Sequence, residues 1–189
     1  MAILTKFKEV FLLETKKHRD ERGSFSELFT NRSFEKAVGR KISFCQDNLT
    51  VSKKGVLRGL HYQLPPFSQS KLVSVLHGKV LDVVVDLRKG SPNFGKYLSW
   101  ELSAENGLQL FVPRGFAHGY ITLSETSIFH YKVDCYFHPE SDSGIAPDDN
   151  TLDIDWQLPQ SEWIQSEKDQ RHLPMSEAPL FNYKIDLYG

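Results

Sequence analysis

Three long runs of strand-forming residues, each broken once by a turn signal, decide what this chain can fold into. Residues 72–87 (LVSVLHGKVLDVVVDL) are two β-branched segments joined at His77-Gly78. Residues 97–113 turn at 104–107, and residues 119–137 turn at 124–126. β-Branched and aromatic side chains fit the pleated, half-buried surface of a sheet, and Gly-containing breaks suit tight turns, so each run is expected to be a hairpin. Several short strands with turns at such regular spacing mean a sandwich, jelly roll or barrel. Helical pattern is scarce. One helix is expected over residues 33–37, opened by Asn31 and closed by Gly39. A second is expected over residues 165–172, where Ser166, Glu167, Lys168 and Asp169 are helix formers or caps. At 189 residues a single domain is expected, with a β core over about residues 20–156 and a tail, 157–189, packing helices against it.

The formal net charge is −1, so no cationic field would concentrate a polyanion, and nucleic-acid binding is not expected. A small anionic ligand needs only a few local cations and stays open. No segment approaches membrane-spanning length. The N-terminal run MAILTKFKEVFLLETKK is interrupted by Lys and Glu and lacks a small-residue cleavage site, so a cytoplasmic location is expected. Cys45 and Cys135 sit in apolar, strand-like runs and are expected to be buried free thiols.

Chemistry concentrates in residues 55–71, GVLRGLHYQLPPFSQSK, which crowd Arg58, His61 and Lys71 around a strand-like segment, 56–63. Strict alternation places Arg58, Leu60 and Tyr62 on one face and Leu57, Gly59, His61 and Gln63 on the other. A buried charge needs a partner or a ligand to meet it. Three further groups are candidates to line a pocket with these residues. Arg22 and Glu27 flank the turn in DERGSFSELF. Gln46, Asp47 and Asn48 follow Cys45. VPRGFAHGY, with His118, precedes HYKVD, with Tyr131. Pro113-x-Gly115-x-x-His118 resembles the second motif of the cupins, whose metal-binding members carry a His-x-His pair on the partner hairpin. Here that position reads His61-Tyr62-Gln63. Two imidazoles fall short of the three protein ligands of a catalytic transition-metal site, so no metal is expected. The other histidines, His172 among them, show no ligand spacing.

The ordered series RGLHYQ, QSKLV, DVVVDLR, LSAEN, QLFVP, GFAHGY, TLSE and YK resembles the dTDP-4-dehydrorhamnose 3,5-epimerases. The likeness runs from about residue 20 to 156 and continues weakly to Asp169. It implies a metal-free, cofactor-free cupin-type jelly-roll barrel, forming a homodimer that exchanges an N-terminal strand. The implied substrate is dTDP-4-dehydro-6-deoxy-D-glucose, inverted at C3 and C5 to dTDP-4-dehydro-L-rhamnose. By position the resemblance makes His61 the general base, supported by Asp169, and Tyr131 the proton donor on the opposite face of the ring. Lys71 and Arg58 would lie by the sugar. Arg22, Glu27, Gln46, Asp47, Asn48, His118 and Lys168 would contribute to substrate binding. Two positions depart from the family's common pattern: Phe137 stands for a base-stacking Tyr, and Asp142 for a Glu.

The reaction asks for these residue types independently. C3 and C5 both flank the C4 ketone, so each carries a proton whose loss gives an enolate. An imidazole with an ordinary pKa of roughly 6.5 is a suitable base at neutral pH, provided the enolate oxygen is strongly stabilised. An ammonium aimed at that oxygen does this. Readings that keep the fold but change the reaction are an epimerase acting at C3 or C5 alone, a 3,4-ketoisomerase, and a non-catalytic sugar-binding cupin.

Overall fold

The β-branched runs form strands, but each tight turn carries the chain from one sheet into another. The computed structural model describes residues 2–5 and 7–189. The elements are β1 (Ala2–Leu4), β2 (Phe11–Glu14), β3 (Lys17–Asp20), β4 (Gly23–Ser26), α1 (Asn31–Val38), β5 (Gln46–Lys53), β6 (Leu57–Gln63), β7 (Lys71–His77) and β8 (Lys79–Asp86). They continue with β9 (Arg88–Lys89), β10 (Tyr97–Ser103), β11 (Leu108–Val112), β12 (Phe116–Thr122), β13 (Thr126–Val133), β14 (Asp142–Gly144) and β15 (Phe181–Asn182). One sheet has the order β1-β2-β11-β7-β13-β5, and the other β10-β8-β12-β6-β14. The expected jelly roll is what forms. The three expected hairpins do not pair with themselves: β7 and β8, β10 and β11, and β12 and β13 each divide between the two sheets. The physical reason is burial. β8 is buried along nearly its whole length, as a central strand with both faces covered must be. It lies between β10 and β12 and leaves β7 to the opposite sheet.

Three apolar layers follow. Val73, Val75, Val80, Val84, Leu110, Phe116, Tyr120 and Phe129 fill the space between the sheets. Leu57, Leu60, Tyr62, Leu81, Val83 and Val85 cover the outer face of the five-stranded sheet and meet Ile145, Leu152, Trp156 and Phe181 of the tail. Phe34 of α1 packs with Ile42, Leu72 and Phe111 on the outer face of the six-stranded sheet. The cap of α1 is Thr30 rather than Asn31, its Oγ1 accepting from Ser33 N at 3.3 Å. Gly39, at φ 70°, closes the helix in the left-handed region as expected.

The tail covers the sheet, but not as helices. In place of the expected helix over residues 165–172 there is one 3-10 turn, Asp169–Arg171. The chain on either side of it is extended by backbone bonds: Ile164 N–H donates to Gly55 O at 2.9 Å and Ala146 N–H to Leu173 O at 2.9 Å. Those pairings hold both ends of the segment as extended chain lying against its neighbours. Both cysteines are free, but Cys45 is exposed and Cys135 half-buried, contrary to expectation. Cys45 directly precedes β5, its N–H donating to Val133 O at 2.9 Å. No helix among the described residues is long and apolar enough to cross a membrane.

Candidate active site

An irregularity in β6 builds the site. His118 of β12 pairs with His61, yet Tyr120, two residues on, pairs with Arg58, three residues back. One residue of β12, Gly119, therefore opposes two of β6, Gly59 and Leu60, which is a β-bulge. Residues opposed across a ladder share a face, so Arg58 and His61 both turn to the inner side with His118 and Tyr120. Leu57, Leu60 and Tyr62 turn to the outer core. The strict alternation expected for residues 56–63 fails at this bulge. Both glycines are required: a Cβ on Gly59 would lie 2.6 Å from Gly119 Cα, and one on Gly119 2.8 Å from Arg58 O.

His61, half-buried, has Nε2 at 2.6 Å from Asp169 Oδ1. Asp169, a helix former or cap by sequence, is laid by the 3-10 turn, buried, against β6. Burial alone would raise its carboxyl. The hydrogen bond and charge of His61, with a bond to Ser166, outweigh that and hold it below the ordinary carboxylate range. Beside His61 in the sheet, His118 is buried, with Nε2 at 3.0 Å from each oxygen of Asp82. Burial pushes the His118 imidazole down and Asp82 pulls it back; burial likewise pushes the Asp82 carboxyl up.

The six-stranded sheet faces these groups. Lys71 alternates with Val73 and Val75, which lie in the core between the sheets, and so points inward with them. Burial lowers its ammonium from 10.5 to about 8, with Asp142 and Asp82 opposing the shift. Tyr131 follows Phe129 on the inner face of β13. Burial, and next the neighbouring Tyr120, push its phenol up, while Arg58 works the other way. From β5, Thr50 Oγ1 meets Tyr120 OH at 2.6 Å and Ser52 Oγ accepts from Arg58 Nε at 3.2 Å. Gln46 and Asn48, on the same side of β5, bond to each other at 2.7 Å. Asp142 on β14 pairs with Lys168 and sits opposite Gln63.

Four sequence candidates lie away from this cluster. Asp47, between Gln46 and Asn48, faces outward and binds Lys132 at 2.7 Å and His130 at 3.3 Å. Its neighbours' alternation forces this. Arg22, at the exposed tip of the β3–β4 ribbon, pairs with Asp20 at 2.6 Å. Glu27 lines a groove of about 840 Å³ between α1, β2 and the β3–β4 ribbon, together with His18, Phe25 and Phe34. Phe137 is exposed just beyond β13. Among the residues that sequence reading passed over, Asp82 and His172 also join the site. Asp82 stands mid-strand among apolar residues, and that position was the available signal. His172 shows no ligand spacing in the sequence, but its ring stands perpendicular to that of His61, centroids 5.3 Å apart. Its spacing from His61 carries no local signal.

Residues 4–177 match the model of the family described as dTDP-4-dehydrorhamnose 3,5-epimerase. The chain belongs to this family. It is 48% identical over 180 residues to the dTDP-4-dehydrorhamnose 3,5-epimerase of Shigella flexneri, covering 95% of this chain and 98% of that one. Among solved structures it is similar to a dTDP-6-deoxy-D-glucose-3,5-epimerase from Legionella pneumophila Philadelphia 1 in complex with dTDP-4-keto-L-rhamnose. The TM-score is 0.94 at 43% identity, covering 98% of this chain and 99% of that one. A 3'-monoepimerase from Streptomyces bikiniensis, in complex with dTDP-quinovose, shares the fold at TM-score 0.84 and 30% identity, covering 91% and 86%.

Proposed function

We propose that this epimerase inverts both C3 and C5 of dTDP-4-dehydro-6-deoxy-D-glucose, and that His61 and Tyr131 carry the two proton transfers. The observation that supports this most is placement on opposed sheets: His61 stands on β6 and Tyr131 on β13, facing the same interior. A sugar ring held between them presents one face to each. Asp169 accepts the Nε2–H of His61 at 2.6 Å, which leaves the Nδ1 lone pair free to take a proton from carbon. The breaking C–H pair becomes the enolate, its negative charge on the C4 oxygen, and the Lys71 ammonium stabilises it. The Tyr131 hydroxyl then gives its proton to the same carbon from the other face. Only protons move, so the reaction needs no redox cofactor.

Arg58, Gln46, Asn48 and His118 hold the sugar and the adjoining phosphates. Lys168, Asp142 and Phe137 lie where the nucleotide end would leave the interior. The exposed β3–β4 ribbon supplies Arg22 and Glu27 to a second copy, in a cytoplasmic homodimer of single-domain subunits. Phe25, Leu49 and Val51 are exposed at 69%, 57% and 64%, as an interface between copies would require.

Proton NMR of dTDP-4-dehydro-6-deoxy-D-glucose incubated with the enzyme in D2O tests the reading. Deuterium at both C3 and C5, with capture of dTDP-L-rhamnose by an added reductase, is expected. Deuterium at one carbon would make it a monoepimerase, a reading that the shared fold with the Streptomyces protein keeps in view. Tyr131→Phe should retain solvent exchange but lose net inversion; normal inversion would remove Tyr131 from its role.

A further inference from the structure

His172 is an unusual neighbour for a catalytic imidazole. Both of its ring nitrogens are shut off from solvent, and neither has a hydrogen-bond partner. A buried polar nitrogen without a partner is costly, and such an atom in a native fold asks for an explanation. The ring is closely packed. It is wedged between His61 and the backbone of β14, where a side chain on Gly144 would run into three of its atoms. One ligand atom from each of His61, Asp169 and His172 lies within 4.8 Å of the other two. Around a tetrahedral zinc with bonds of ~2.1 Å, two ligand atoms are separated by about 3.4 Å, so small side-chain rotations close the set. Two imidazoles and one carboxylate, with a coordination position left over, are a donor set that zinc and its neighbours accept.

We infer that His61, Asp169 and His172 form a binding site for a divalent transition-metal ion, zinc by preference, and that occupancy switches the epimerase off. The regulatory half of this rests on the function proposed above; the binding half does not. Metal would take the place of the proton that His61 Nε2 shares with Asp169. A neutral imidazole ligated through Nε2 keeps its hydrogen on Nδ1, so no lone pair is left there to accept a proton from carbon. Lys168 and Asp142, paired with each other beside the site, act on His172 in opposite senses.

Calorimetric titration of tag-free enzyme with zinc chloride, without substrate, reads the site directly. One ion per subunit is expected. His172→Ala and the closer-sized His172→Gln should each weaken binding by about tenfold or more, with circular dichroism confirming that they fold. Cobalt should give the intense visible bands of a tetrahedral ion in the wild type and lose them in both variants. Solvent exchange at the sugar should stop with zinc, return with a chelator, and in each variant resist zinc relative to its own metal-free rate. Equal zinc affinity in wild type and folded variants, or no binding by wild type, overturns the site. Zinc bound through His172 in an enzyme with no action on the sugar would preserve the site and refute the function instead.

Discussion

Lys71 joins activity to stability in a way one substitution can expose. Its ammonium is held among Val73, Val75 and the polar groups between the sheets, and burial lowers it from 10.5 to about 8. At about 1.4 kcal/mol per pH unit that difference is a cost of ~3 kcal/mol for keeping the charge in the folded protein, an upper bound because part of the side chain still meets solvent. Lys71→Met keeps the length and removes the charge. At pH 7 the variant should be more stable by about 1–3 kcal/mol, which for a chain of this size raises Tm by roughly 2–10 °C. The folded-state value lies below the unfolded one, so the native wild type binds fewer protons than the unfolded chain between about pH 8 and 10.5. The wild type should therefore gain stability relative to the variant across that window, closing the gap. The same variant should lose about 10²–10³ in kcat, the usual effect of deleting a donor aimed at an oxyanion. In the wild type, turnover should fall above about pH 8, leaving roughly a tenth of the lysine charged one unit higher. Urea melts at pH 7 and 10, with a pH–rate profile, measure all of this. A Met variant less stable at pH 7, or a wild-type rate level through pH 9, would refute the argument.

Two other outcomes follow from the geometry. Asp169→Asn leaves the 3-10 turn in place but removes the carboxylate that accepts from His61 at 2.6 Å. Deuterium exchange at the sugar should drop by about 10³–10⁴, as when a carboxylate behind a catalytic histidine becomes an amide, with little change in Tm. Gly119→Ala drives a methyl to 2.8 Å from Arg58 O and 3.1 Å from Gly59 Cα. It should cost about 1–3 kcal/mol in a denaturant melt and displace Arg58 and His61 enough to cut turnover sharply; a fully active, unshifted variant would mean the bulge does not set the site.

Much of this was legible in the chain. The β-branched runs mark the strands, and their breaks mark the turns at Gly78, Asn106-Gly107 and 124–126. Arg58, His61 and Lys71 could be picked out because they crowd a segment otherwise apolar, His118 because of its Pro-x-Gly-x-x-His motif, and Tyr131 through the family resemblance. Strand pairing was not legible. β7 and β8 look like a hairpin in sequence, but β8 must bury both faces, and it does so only between β10 and β12. The tail misled in a similar way: Ser166 to Asp169 have helix-capping chemistry, while backbone pairing with Gly55 and Ala146 on either side of them demands extended chain.

By itself the sequence determined which residues would be strand, turn or buried apolar, because periodicity and turn chemistry are local, and the family to which those residues belong. Only the tertiary structure decided who meets whom. The bulge at Gly59 puts Arg58 and His61 on one face against the simple alternation, since a single extra residue reverses every side chain beyond it. Asp169 and His172 reach His61 across more than a hundred residues of chain. Asp47, flanked by two inward residues, turns outward to Lys132. Those placements depend on packing two sheets and a tail together, and no local pattern encodes that contact.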